Sequence, residues 1–333
     1  MKPRLLLESH VPYFPEGLKE YFDIERMLPG DITADSVKGF NALIARTRTK
    51  CDAALLDGSD IEFAGTATIG IDHFDLPYLA SRGIEAVNAP GCNAPAVAQY
   101  VMASLLKVHG SLDGLTLGVV GVGNVGRIVV DWARQLGMKV LQCDPPRAAA
   151  EGDGQFVGLD RIAAESDIVT IHTPHTKSGP YATRHIVGAD FLASAKRGVT
   201  IVNAARGPIV DTQALIEALR SGHVDHAVID TWENEPRIST ELLALVDIAT
   251  PHIAGYSLNG KIRAASMVAS ALCRHFGVDF DCSAGVPAGA AAKVDEQSIL
   301  SSYNPLEDDR VLRADPSEFE ALRDNYPLRA EVV

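Results

Sequence analysis

Between Arg4 and Asn93 the chain alternates short, uninterrupted apolar runs with turn residues and helix signals. The runs Arg4–Leu7, Ala42–Ala45, Ala53–Leu56, Phe63–Thr68 and Ile84–Asn88 read as strands, with a helix over Leu76–Arg82. Apolar runs without period-two alternation suit strands buried on both faces, so the pattern predicts a parallel sheet sandwiched by helices. From Ala96 the spacing becomes helical. Val97, Val101, Leu105 and Val108 form one apolar stripe over Ala96–His109.

A second alternating unit follows. Leu115–Val120 reads as a strand, Gly121–Gly126 as a glycine turn, Val125–Leu136 as a helix and Lys139–Cys143 as the next strand, with Asp144 at its end. Strands at Ile168–His172, Val199–Asn203, Val224–Asp230 and Ile248–Ala249 and helices at Ala189–Ala195 and Thr212–Ser221 continue the pattern. This alternation predicts an α/β chain with two doubly wound parallel sheets. A helix over Lys261–Phe276 is read as returning the chain to the first unit. Residues 1–95 plus 262–276 then form one discontinuous domain, with 96–261 inserted in it. The remainder, 277–333, holds the small-residue run Ala284–Ala292 and one short helix, Pro316–Asn325, and is expected to belong to neither core.

The length of 333 residues agrees with two domains at about 150 residues each. Lys and Arg number 30 against 43 Asp and Glu, a net charge of −13 that argues against nucleic acid or an anionic membrane as partner. A small anion held by local cations remains compatible with it. The apolar patch Leu5–Leu7 is closed at once by Glu8, and no run approaches the roughly 18 apolar residues of a membrane span. Five scattered cysteines without a CxxC pair suggest thiols in a cytoplasmic protein, with no metal site.

The sequence Gly121-Val122-Gly123-Asn124-Val125-Gly126 fits GxGxxG, follows an apolar strand and opens a helix. Gly121 permits a tight turn, Gly123 lets a pyrophosphate approach the backbone, and Gly126 lets the helix pack closely. The N–H groups of a helix start, at Asn124 and Val125, suit phosphate. Asp144 can accept hydrogen bonds from ribose hydroxyls and repels a 2′-phosphate, while nearby Arg147 keeps NADP open beside NAD. Three further stretches end strands of the same sheet: Asn203–Gly207, Asp230–Pro236 and Thr250–Tyr256. Arg206 offers a planar fork for a carboxylate. The His252 imidazole can take a hydroxyl proton. Glu235 can hold the imidazole and stabilise its protonated form. Taken singly, such residues are commonly a surface ion pair, a structural histidine and a solvated carboxylate; their shared position at strand ends favours the functional reading.

Gly-Val-Gly-Asn-Val-Gly, Asn-Ala-Ala-Arg-Gly, Trp-Glu-x-Glu-Pro and His-Ile-Ala-Gly-Tyr together resemble the D-2-hydroxyacid dehydrogenase superfamily. Pro90–Ala94, Gly65–Thr68 with Asp72-His73, Cys143–Arg147 and His252–Ser257 with Gly260-Lys261 resemble its branch acting on 4-phospho-D-erythronate. The resemblance covers about residues 1–276 and implies a flavodoxin-like substrate domain beside a Rossmann NAD domain. It implies Arg206, Glu235 and His252 as catalytic residues. It also implies that Asp144, Thr173, Ala204, Ala205, Arg206, Asp230 and Gly255 contact NAD, with Thr47, Thr68 and Tyr256 on the substrate. Arg46, Arg48 and Lys50, beside Thr47, and Lys261 and Arg263 after the His252 loop, are the cations available for a substrate phosphate. The alternative for the first cluster is a solvated basic loop. The implied partner is a small phosphorylated 2-hydroxy acid, and the implied assembly a homodimer whose C-terminal domain is shortened here. A dehydrogenase acting on 3-phosphoglycerate and a non-catalytic NAD-sensing corepressor are the competing readings.

Overall fold

The computed structural model describes residues 2–332. Two compact units divide the chain, Met1–Asn93 with Ser257–Ala288, and Ala94–Tyr256 with Gly289–Val333.

In the first unit five parallel strands, β1 (Arg4–Glu8), β2 (Asp23–Met27), β3 (Ala42–Ala45), β4 (Phe63–Thr66) and β5 (Glu85–Val87), pair in the order β2-β1-β3-β4-β5. That is the flavodoxin-like doubly wound order. The central strands β3 and β4 are buried along their whole length, as their unbroken apolar character requires. The edge strand β2 is polar and largely exposed. Ala53–Leu56, expected as a strand, is instead a short helix: the Asp52 carboxylate caps it by accepting from Leu55 N at 3.2 Å, and Leu55 and Leu56 are its buried side chains. The helix Leu258–His275 lays Ala264, Ala265, Val268 and Leu272 into this unit's core. It comes so close to β4 that a Cβ on Gly65 would lie 2.6 Å from Val268 Cγ1.

In the second unit β6 (Thr116–Val120), β7 (Lys139–Cys143), β8 (Ile168–Ile171), β9 (Val199–Asn203), β10 (Val224–Ile229) and β11 (Ile248–Ala249) run parallel in the order β11-β10-β9-β8-β6-β7. The order reverses direction at β6, so the glycine turn lies at the topological switch point, where ligands of open α/β sheets gather. Helices Ala94–His109 and Asn124–Gln135 cover one face, with Tyr100, Leu105 and Trp132 buried beneath them.

The C-terminal segment departs from expectation. Three helices, Glu296–Ser302, Pro305–Ala314 and Phe319–Asp324, follow Gly289, where the sequence pattern suggested one. Ile299, Tyr303 and Val332 join the cluster around Trp132, and Leu312 and Phe319 join the one around Leu242 and Leu243. Each large apolar side chain contributes about 1.5–3 kcal/mol by leaving water. Residues 289–332 thus belong to the second unit and add to its core, anchored further by Asp309, whose Oδ1 accepts from Ala249 N at 2.7 Å.

Candidate active site

The glycine turn has the shape its spacing requires. Gly121 adopts φ +89°, and a Cβ there would lie 2.8 Å from Thr173 N. A Cβ on Gly126 would come within 2.1 Å of Gly121 O, so helix and strand meet backbone to backbone. A Cβ on Gly123 would meet nothing within 4 Å, which leaves the opening that a pyrophosphate needs at the start of the Asn124–Gln135 helix. The buried Thr173 hydroxyl has no partner among the described residues. These features fit a dinucleotide.

Asp144 follows β7 and caps the helix Pro145–Glu151. Its Oδ2 accepts from Val122 N at 2.8 Å and its Oδ1 from Arg147 N at 3.1 Å, which fixes the carboxylate beside the turn. Arg147 is itself committed. Nε and Nη2 each donate to Glu151 at 2.7 Å, and Nη1 donates to Val122 O at 2.7 Å. That leaves Asp144 as the dominant charge for a ribose, the arrangement expected for NAD.

Three loops from adjacent strands carry the proposed chemistry. After β9, Asn203 shapes the turn: Oδ1 accepts from Ala205 N at 3.2 Å, and Nδ2 donates to Arg206 O at 3.1 Å. Ala204 and Ala205 lie within that turn. Arg206 is half-buried, with Nη1 donating to Ala205 O at 2.8 Å. After β10, Trp232 N donates to Glu235 Oε1 at 2.8 Å, and after β11, His252 Nδ1 donates to Glu235 Oε2 at 2.8 Å. With a proton on Nδ1 facing the carboxylate, the neutral form of the His252 imidazole has Nε2 as its acceptor. Burial opposes the charge on Glu235, but the His252 hydrogen bond and charge and the Trp232 N–H outweigh it and hold the carboxyl below its ordinary pKa.

Asp230, expected at the cofactor, is 1% exposed, and both its oxygens serve the His252 loop. Oδ1 accepts from Thr250 Oγ1 at 2.7 Å and Ile253 N at 2.8 Å, and Oδ2 accepts from Ala254 N at 3.0 Å. Burial raises its carboxyl above the ordinary value, with His252 and these donors pulling it back. Gly255 and Tyr256, half-buried, end the loop. Sequence reading passed over Asn203 and Trp232 as site residues, although both stand inside the motifs that it singled out.

Thr47, Thr68 and Arg46 belong to the first unit. The buried Glu8 carboxylate builds the loop after β3, accepting from Arg46 N at 2.8 Å and from Thr49 Oγ1 at 2.9 Å. Thr47 and Arg48 are exposed there, and Arg46 Nη1 donates to His10 O at 3.2 Å. Thr68 Oγ1 donates to Gly70 O at 2.9 Å. Arg263 donates to Cys92 O and Ala288 O, both at 2.7 Å, which ties its guanidinium to backbone. Among the described residues no group of three or more His, Cys, Asp or Glu side chains could hold a metal ion, and no helix is long and apolar enough to cross a membrane.

The family profile "D-isomer specific 2-hydroxyacid dehydrogenase, NAD binding domain" matches residues 97–254. An erythronate-4-phosphate dehydrogenase of Bacteroides thetaiotaomicron is 44% identical, over 98% of this chain and 97% of that protein. That match takes in most of the C-terminal segment, so the segment is not shortened relative to the Bacteroides protein. The erythronate-4-phosphate dehydrogenase of Porphyromonas gingivalis is 42% identical, over 99% and 94%. Among solved structures, a D-lactate dehydrogenase from Aquifex aeolicus, complexed with NAD and lactic acid, is 26% identical with a TM-score of 0.67, over 85% of this chain and 100% of that one. The glycine turn, the strand-end loops and this near full-length similarity place the chain in the erythronate-4-phosphate dehydrogenase family of NAD-dependent D-2-hydroxyacid dehydrogenases.

Proposed function

We propose that this chain oxidises 4-phospho-D-erythronate at C2 to 2-oxo-3-hydroxy-4-phosphobutanoate, a step toward pyridoxal phosphate. The observation that carries the reading is the 2.8 Å His252–Glu235 pair, set at strand ends of a sheet that also bears the dinucleotide turn. NAD, when bound, supplies the hydride acceptor. Gly121, Gly123 and Gly126, with the N–H groups of Asn124 and Val125, hold its phosphates, and Asp144 takes the ribose. Thr173, Ala204, Ala205 and Gly255 line its path, and Asp230 acts by shaping the loop.

His252 Nε2 takes the C2 hydroxyl proton. Glu235, already ionised, stabilises the imidazolium as it forms, when the stabilisation lowers the barrier most. The Arg206 fork holds the substrate carboxylate. Thr47, Thr68 and Tyr256 contact substrate, and Arg46 meets the phosphate. We also read the protein as cytoplasmic, in keeping with five buried thiols, and as a homodimer. Light scattering checks the dimer, and a monomer at assay concentrations removes it.

The deciding assay follows NADH formation from 4-phosphoerythronate, with a coupled step removing the oxo acid. Turnover of 3-phosphoglycerate or glyoxylate instead would reassign the substrate. Arg46→Ala is expected to raise KM for the phosphorylated substrate by about 10- to 10²-fold, the loss of a charge-assisted hydrogen bond, with NAD affinity unaltered. An unaltered KM removes Arg46 from the phosphate site.

A further inference from the structure

One polar side chain of the second unit serves no step above and yet meets the catalytic loop directly. Arg329, in the C-terminal segment, aims both Nη nitrogens of its guanidinium at backbone oxygens. Nη1 donates to Ile253 O at 3.1 Å and to Tyr256 O at 3.2 Å, and Nη2 donates to Ala254 O and to Ala96 O. Nε donates to Gln99 Oε1 at 3.2 Å.

The placement of the fork is fixed from behind. Gln99, fully buried, donates from Nε2 to Ser302 Oγ at 2.9 Å and to Ala330 O at 3.2 Å, so its Oε1 is turned to Arg329. The guanidinium stacks 4.3 Å from the centroid of the Tyr303 ring. Tyr303 and Tyr326 both donate to Asp308 Oδ2, at 2.6 and 2.9 Å. Such a network locks a planar cation in one orientation, which a lysine ammonium could not reproduce.

The geometry matters because of what the loop must hold. His252 has φ +57°, a left-handed conformation that a non-glycine residue keeps only where its surroundings impose it. The peptide that follows is gripped at both ends. Between Ile253 and Ala254, the carbonyl oxygen accepts from Arg329 and the N–H donates to Asp230 Oδ2 at 3.0 Å. The carbonyls of Ala254 and Tyr256 are held by the same guanidinium. Asp230 thus secures the N–H side of the loop and Arg329 its carbonyl side.

We propose that Arg329 is a positioning residue for His252: its guanidinium clamps the Ile253–Tyr256 carbonyls and so holds the imidazole against Glu235. The inference rests on reading His252 as the proton acceptor. It also makes residues 289–332 a working part of the active site.

The test is Arg329→Lys, which keeps the charge and loses the fork. With kcat counted per NAD-binding site by fluorescence titration, unfolded molecules do not enter the rate. The expected result is a kcat lowered by about 10- to 10²-fold, as a displacement on the order of 1 Å produces, with the Kd for NAD unaltered and faster hydrogen exchange at the Ala254 amide. Unaltered kcat overturns the proposal, whether or not Ala254 exchanges faster. His252→Ala, assayed alongside, separates the two failures. Full turnover in that variant takes down the reading of His252 itself, whereas a His252-dependent enzyme indifferent to Arg329→Lys takes down the clamp alone.

Discussion

His252→Ala is expected to lower kcat by about 10²–10⁴-fold, the usual worth of a positioned general base. The Kd for NAD should stay as it was, because the dinucleotide turn is built around Gly121–Gly126 and Asp144, away from the imidazole's own hydrogen bonds. Glu235→Gln is the informative companion. The amide is nearly isosteric, but its single oxygen can accept from Trp232 N or from His252 Nδ1 and not from both, so the charge and one of the two hydrogen bonds are lost together. The imidazolium formed during hydride transfer then lacks its counter-charge, and kcat should fall by about 10²-fold. A kcat that stays at the parent's value would mean that the Glu235 charge is not what supports the imidazolium. The same pair has a sign for stability. Folded Glu235 lies below its ordinary pKa, so its contribution is present above the unfolded carboxyl's range and is lost as pH falls through the folded value.

The dinucleotide turn and the three strand-end loops could be read from the chain because each rests on local pattern. Gly121, Gly123 and Gly126 keep a fixed spacing behind an apolar strand, and Arg206, Glu235 and His252 each follow one. What escaped depends on contacts remote in sequence. Ala53–Leu56 is apolar enough for a strand, and only the Asp52 cap turns it into a helix; an apolar run of that length carries no period. The edge strand β2 carries Asp23, Glu25 and Arg26, so no alternation announced it, and its pairing with β1 alone makes it a strand. The helices Glu296–Ser302 and Pro305–Ala314 fully bury few apolar side chains, Ile299 and Leu312 among them, too sparse a signal against their acidic surface. Arg329 is the extreme case. It is one of several cations in a polar tail, and its meaning lies in the carbonyls of residues more than 70 positions away.

Gly207→Ala should be the most disruptive single methyl in the second unit. Gly207 follows Arg206, and a Cβ there would lie 1.9 Å from Trp232 O, 2.0 Å from Trp232 C and 2.5 Å from Glu233 N. These are backbone atoms of the loop whose Trp232 N–H positions Glu235, so no side-chain rotamer can relieve the overlap. Either the Arg206 turn or the Glu235 loop must move. We expect a loss of about 3 kcal/mol in stability, the upper end for overpacking, because both surfaces are main chain. A shift on the order of 1 Å between the two loops should also lower kcat by about 10²-fold. Gly123→Ala is the contrasting control. Its Cβ meets nothing within 4 Å, so the fold should be kept while the methyl stands where the pyrophosphate approaches. NAD affinity should fall with Tm unaltered. If denaturant titration of Gly207→Ala gave the stability of the parent, the close approach of these two loops would not be what holds Arg206 beside Glu235. The two variants together separate glycine kept for packing from glycine kept for a ligand.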